Sequence, residues 1–154
     1  MAIKLNKRMK LLFTCMLAGV IFSPASAVAR DLVVVSAANN LNGLSLSKFE
    51  LRKIFLGYKV NKDGQAISAV RNIIDKDAYQ LFLSQLIRLS DRNYEKRLMS
   101  KTFKTGLANV PKEKSLEAVY AELQRGDAVL SFMWLDEAQA EPGVSVIQTI
   151  GEDD

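Results

Sequence analysis

The sequence contains no histidine, and its one cysteine, Cys15, lies in an apolar stretch near the start. Without imidazole or a downstream thiol, the usual zinc and copper sites are excluded beyond that stretch. So are the Ser-His-Asp and Cys-His catalytic arrangements. No disulfide can form there, so an apolar core alone must hold the fold. Glycine is sparse at 8 residues and proline at 3. No GxGxxG or GxxxxGK[ST] run is present, which leaves nucleotide-phosphate loops without support. There are no internal repeats and no low-complexity tract.

Charge of one sign is also missing once the start of the chain is set aside. Lys4, Lys7, Arg8 and Lys10 precede an apolar run at residues 11–22, and residues 23–29 are mostly small. This is the pattern of a cleaved secretory signal, ending after Ala29 or after Ala27. The run is too short for a membrane span, which needs about 20 apolar residues. The expected organisation is a signal at 1–29, one domain at 30–150 and a disordered acidic tail at 151–154. The product would be periplasmic or secreted, with no stable membrane insertion after cleavage. Beyond residue 29 the chain carries 17 basic and 17 acidic residues. The whole-chain pI of 9.2 therefore gives no reason to expect nucleic acid as a partner.

What is present is local structural grammar. In LSKFELRKIFLGYK, residues 46–59, Ser47 and Glu50 are spaced as a capping box, and Leu46 can staple onto Leu51. Leu51, Ile54 and Phe55 make one apolar face, and Gly57 can end the helix. Residues 32–36 read as a strand buried on both faces. An Asp-Gly turn at Asp63-Gly64 leads into a strand over 66–71. Asp75 caps a helix expected to reach about Leu89, with Ala78, Tyr79, Phe82, Leu86 and Leu89 on its buried face. Ser90 or Asp91 starts another, with Tyr94, Leu98 and Met99 inward and Gly106 at its end. After a proline-containing linker at 108–114, Ser115 caps a helix with the stripe Leu116, Val119, Tyr120, Leu123 and a stop at Gly126. AVLSFMW, residues 128–134, is the strongest strand, and residues 144–150 form the last. Strands separated by helices argue for a central sheet with helices on its faces.

Chemistry is thinly marked. Asp75 and Asp77 are two apart and do not share a helix face, and Glu113 and Glu117 are four apart. Neither pair shows surroundings that would raise a carboxyl pKa for acid catalysis. No enzyme activity and no cofactor is implied. Helix starts offer N–H groups to anions, so Asp75 and Lys76 belong to a candidate anion site. Ser36, Asn39 and Asn40 join them from the loop after the first strand, where open α/β sheets place ligands. The same side chains equally serve as caps and turn formers. Arg97, Lys101, Lys104, Lys112 and Lys114 form a basic segment suited to an acidic partner or to solvent. Tyr58 and Trp134 are candidate interface aromatics.

The stretch DLVVVSAANN, the helix LSKFELRKIFLGYK and the turn DGQAI together resemble one lobe of the phosphate-binding, PstS-like periplasmic solute-binding proteins. In that family a Leu-Ser start leads to a helix ending Ile-Phe-Leu-Gly-Lys, then a Trp-x-Asp-Gly turn and a short strand. Phe82, the FKTG run at 103–106, Pro111 and residues 126–133 resemble its later Phe-Thr-Gly and Gly-Ala-Ile-Gly-Tyr signposts. The resemblance covers nearly all of residues 31–135. It implies an α/β lobe of periplasmic-binding-protein type, a mixed central sheet with helices on both faces, and a non-catalytic role in phosphate-type ABC uptake. A small anion such as phosphate is the ligand it implies. The departures are that about 125 residues make one lobe rather than two, and that Ile74-Asp75-Lys76-Asp77 replaces the family's anion-binding Ser-Gly-Thr. Asn61 stands where Trp is usual, and Ser131 where Gly is. A periplasmic protein partner, or self-association restoring a cleft, is the other expectation.

Overall fold

The computed structural model describes residues 30–37, 41, 43–126 and 128–152. The expected signal, Asn39 and Asn40, and the last two residues lie outside them. The middle of the fold is β1 (Asp31–Ala37), whose valine-rich run is buried from Leu32 to Ala37. It pairs antiparallel with β6 (Val129–Trp134) on one edge and with β7 (Val144–Glu152) on the other. Beyond β6 lie β3 (Gln65–Ala69), parallel to it, and β2 (Val60–Lys62), antiparallel to β3. The order β2-β3-β6-β1-β7 makes a mixed five-stranded sheet. A two-stranded parallel ribbon, β4 (Arg71–Asn72) with β5 (Lys112–Glu113), stands beside it.

Alternation along β1 sends side chains to two cores, because successive strand residues face opposite sides. Leu32 and Val34 join Leu130, Phe132 and Trp134 in the larger core. Against it pack α1 (Lys48–Phe55), α2 (Lys76–Phe82), the π-helical turn Leu83–Ile87 and α3 (Asp91–Thr105). Val33, Val35 and Met133 join Val119 and Leu123 of α4 (Leu116–Gln124) and Ala138 of α5 (Leu135–Ala140) on the other face. The chain is thus a single α/β lobe with helices on both faces of a mixed sheet. Among the described residues, both cores lie between Leu32 and Ile150.

The caps behave as their residue types dictate. Ser47 accepts from the Glu50 amide while the Glu50 carboxylate accepts from the Ser47 amide, closing the capping box. Asp75, Ser90 and Ser115 cap α2, α3 and α4 through their side chains. Gly106 ends α3 in the left-handed conformation.

Four expectations need correction. The helix expected from Asp75 to about Leu89 is α2 followed by the π-helical turn, which ends at Arg88 with φ 55. Ser90 must be extended to cap α3, so the chain has to leave the helix first. The strand expected over 66–71 is divided between β3 and β4, and the 108–114 linker contains β5. Met99 and Leu116 are exposed rather than buried, because the buried arc of α3 runs through Tyr94, Leu98 and Lys101 and that of α4 through Val119 and Leu123. The expected tail begins inside β7, where Gly151 and Glu152 pair with Leu32 and Asp31. A side chain at Gly151 would lie 2.9 Å from Gln85 Cγ, so glycine lets the strand pass the π-helical turn.

Aromatic stacking ties the helices to the sheet. Phe82 stacks on Phe132 with centroids 4.0 Å apart and meets Phe55 edge-on at 5.0 Å. Tyr94 closes the cluster 6.1 Å from Phe82, and its hydroxyl donates to the Phe55 carbonyl. Phe82→Ala is expected to destabilise the lobe by about 3–5 kcal/mol. Urea unfolding should show this as a lower midpoint with an unchanged slope.

Candidate functional site

Of the candidate anion residues, Ser36, Asp75 and Lys76 are among the described residues. Ser36 is fully buried at the end of β1, and its hydroxyl donates to the Ala37 carbonyl at 3.1 Å. It is a core residue; its other expected partners, Asn39 and Asn40, lie outside the described residues. Asn72 orders the approach to α2. Its side-chain amide donates to the Phe132 carbonyl at 3.0 Å and its oxygen accepts from the Ile74 amide at 3.1 Å. Asp75 follows at the cap.

The Asp75 carboxylate itself occupies the start of α2. One oxygen accepts from the Asp77 and Ala78 amides at 2.8 and 3.0 Å, and the other from the Trp134 indole at 3.0 Å. These bonds, led by the Ala78 amide and then Trp134, with Arg30 contributing charge, hold its pKa below the ordinary aspartate value. Lys76 beside it is exposed and points to no partner among the described residues. An anion arriving here would meet a carboxylate that already holds the Asp77 and Ala78 amides and the Trp134 indole. Trp134 is 1% exposed, which corrects its reading as an interface aromatic. Its ring lies under the Arg30 guanidinium at 4.5 Å. Arg30 also grips both oxygens of Asp136 at 2.9 Å and approaches Glu137 to 3.8 Å. That bond from Arg30 depresses the Asp136 pKa, whereas burial raises that of Glu137, which accepts from the Trp134 amide.

A second polar cluster lies between α3 and the 107–113 segment. Arg71 is buried, donates to the Val110 carbonyl at 2.9 Å and pairs with Glu95 at 2.8 Å, 5.3 Å above the Tyr94 ring. Lys112 reaches the same carboxylate at 3.3 Å. Burial pulls the Glu95 pKa upward, but Arg71 and then Lys112 hold it below the usual glutamate value. Lys101 is 5% exposed and donates to the Gly57 and Ala108 carbonyls at 2.8 and 2.9 Å. It is a structural strut rather than a surface cation, a correction with a plain cause: two helix-end and loop carbonyls need a donor. Arg97, Lys104, Lys112 and Lys114 are exposed as expected.

Sequence reasoning missed Arg30, Arg71 and Glu95 as organisers. Arg30 and Asp136 are 106 positions apart, so no local spacing could have linked them. Open grooves lie among the described residues. One, of about 660 Å³, lies between Tyr58, Ile67, Val110, Arg125 and Val129. Another, of about 450 Å³, runs between residues 43–46 and β7. Among the described residues, no group of three or more His, Cys, Asp or Glu side chains is placed to hold a metal ion. No helix there is long and apolar enough to cross a membrane.

Asp75→Ala should cost about 1 kcal/mol at neutral pH through loss of the cap. Because the folded pKa is depressed, the wild-type contribution is present above the unfolded value of about 3.9. It is lost as pH falls through the folded pKa, so the gap between wild type and variant should close in acid. Thermal melts across that range check it. Lys101→Met strands two carbonyls and should cost about 2 kcal/mol, seen in the same melts at pH 7.

No family model matches the chain, and no curated protein matches it in sequence. Among solved structures, it is similar to an ABC-type phosphate transport receptor from Vibrio cholerae, with a TM-score of 0.54 and 15% identity. The match covers 78% of this chain and 46% of the receptor, so the chain spans less than half of that protein's length. The likeness is one of fold, distant in sequence: a lobe of the periplasmic-binding-protein type found in ABC-transporter substrate-binding proteins.

Proposed function

We propose that the chain is an exported, non-catalytic solute-binding-type module, an accessory to phosphate-type ABC uptake whose own hold on free phosphate is weak. The fold supports the receptor kinship. The observation that carries the accessory role is the Asp75 carboxylate at the start of α2, bonded to two amides and the Trp134 indole. It is an internal anion where the related receptors of the sequence resemblance bind an external one. Ligand sites bury most of their ligand. A single lobe leaves one side of any bound anion in water, where electrostatic attraction is weakest.

The reading places the protein in the periplasm, where its partners are proteins of the uptake system rather than a tightly held solute. Calorimetric titration of residues 30–154 with phosphate and sulfate tests it. Dissociation constants weaker than about 1 mM, with melting unchanged at millimolar anion, are the expected result. Saturable micromolar binding of phosphate would instead establish a working solute receptor and remove the accessory reading.

A further inference from the structure

The outer face of α3 has a composition that neither the fold nor the proposed function uses. Phe103 is 89% exposed and Met99, one turn earlier, 50% exposed. Arg92 and Lys96 lie on the same stripe, since positions 92, 96, 99 and 103 recur at helical spacing. Lys104 and Arg97 lie more than about 100° round the helix from its centre, and all four cations are exposed. None of these four has an ion-pair partner among the described residues. The acids of α3 are engaged elsewhere: Asp91 accepts from the Tyr79 hydroxyl at 2.7 Å, and Glu95 is held by Arg71 and Lys112. A helix in a chain with no net charge beyond residue 29 thus presents an unopposed basic face carrying two bare apolar side chains.

We propose that this face of α3 adsorbs the protein to an anionic phospholipid surface. The chemistry is complementary: cations meet headgroup phosphates while Phe103 and Met99 enter the headgroup–acyl boundary, as on interfacial amphipathic helices. Protein partners fit less well. Two apolar side chains on a convex helix fall far short of the roughly 800 Å² per partner that a stable protein interface buries. A fluid surface needs no matching concavity. The inference rests on α3 alone and does not depend on whether phosphate is bound.

Vesicle flotation tests it with residues 30–154, which retain every described core residue and lack the apolar run at 11–22. The chain should float with phosphatidylglycerol-containing vesicles, stay behind with phosphatidylcholine alone, and be released by salt as screening shortens. Arg92→Glu with Lys96→Glu should weaken binding by at least about fivefold per cation removed. Phe103→Ser should weaken it with melting unchanged, a loss that a purely diffuse charge effect would not produce. Arg125→Glu, at the end of α4 on the other face of the sheet, should leave it intact. The proposal is overturned if the wild type does not float, if Arg125→Glu weakens binding as much as the α3 changes, or if Phe103→Ser has no effect. Binding to polyglutamate without binding to the anionic vesicles would also overturn it, in favour of an acidic protein.

Discussion

The architecture depends on one strand that is used on every side. β1 is hydrogen-bonded to β6 along one edge and β7 along the other, and its residues are buried on both faces. A strand in that position has no solvent side, so valine and leucine at successive positions must each find a cover. The two helical layers are that cover. The aromatic stack around Phe82 and Phe132 fixes the thicker layer, while the smaller core under α4 and α5 rests on Val33 and Val35. β7, the last element in the chain, pairs with β1, the first. Such non-local pairing carries a loop-closure cost that local helices do not.

Several charged groups drawn into the lobe are matched to specific partners: Arg71 to Glu95 and a carbonyl, Lys101 to two carbonyls, Asp75 to two amides and an indole. Each bond answers the cost of burying a polar group unpaired. The effect on the surface is indirect. Acidic side chains near α3 are spent on internal partners, and the cations of its outer face are left in solvent. The same accounting fills the start of α2 with a carboxylate. Fold alone does not carry function.

Much of the fold was legible because the signals are short-range. The Ser47–Glu50 box, the caps at Asp75, Ser90 and Ser115 and the Gly106 terminus each involve residues within a few positions, so their spacing states the geometry. Periodicity erred where burial is partial. Met99 fits an inward helical position by type, yet the buried arc of α3 is centred on Tyr94 and Leu98, with a lysine completing it. A lysine in a core arc cannot be anticipated from hydrophobicity, since its warrant is a pair of carbonyls at Gly57 and Ala108.

By itself the sequence determined the element types, the helix boundaries set by caps, and a doubly buried central strand, because these follow from local hydrogen bonding and side-chain period. Tertiary structure alone decided which charges are struts and which are surface. The Trp134 indole reaches Asp75 across 59 positions and Lys101 reaches Gly57 across 44. Whether a group is paired depends on what the fold brings within about 3 Å of it, and no spacing along the chain records that distance.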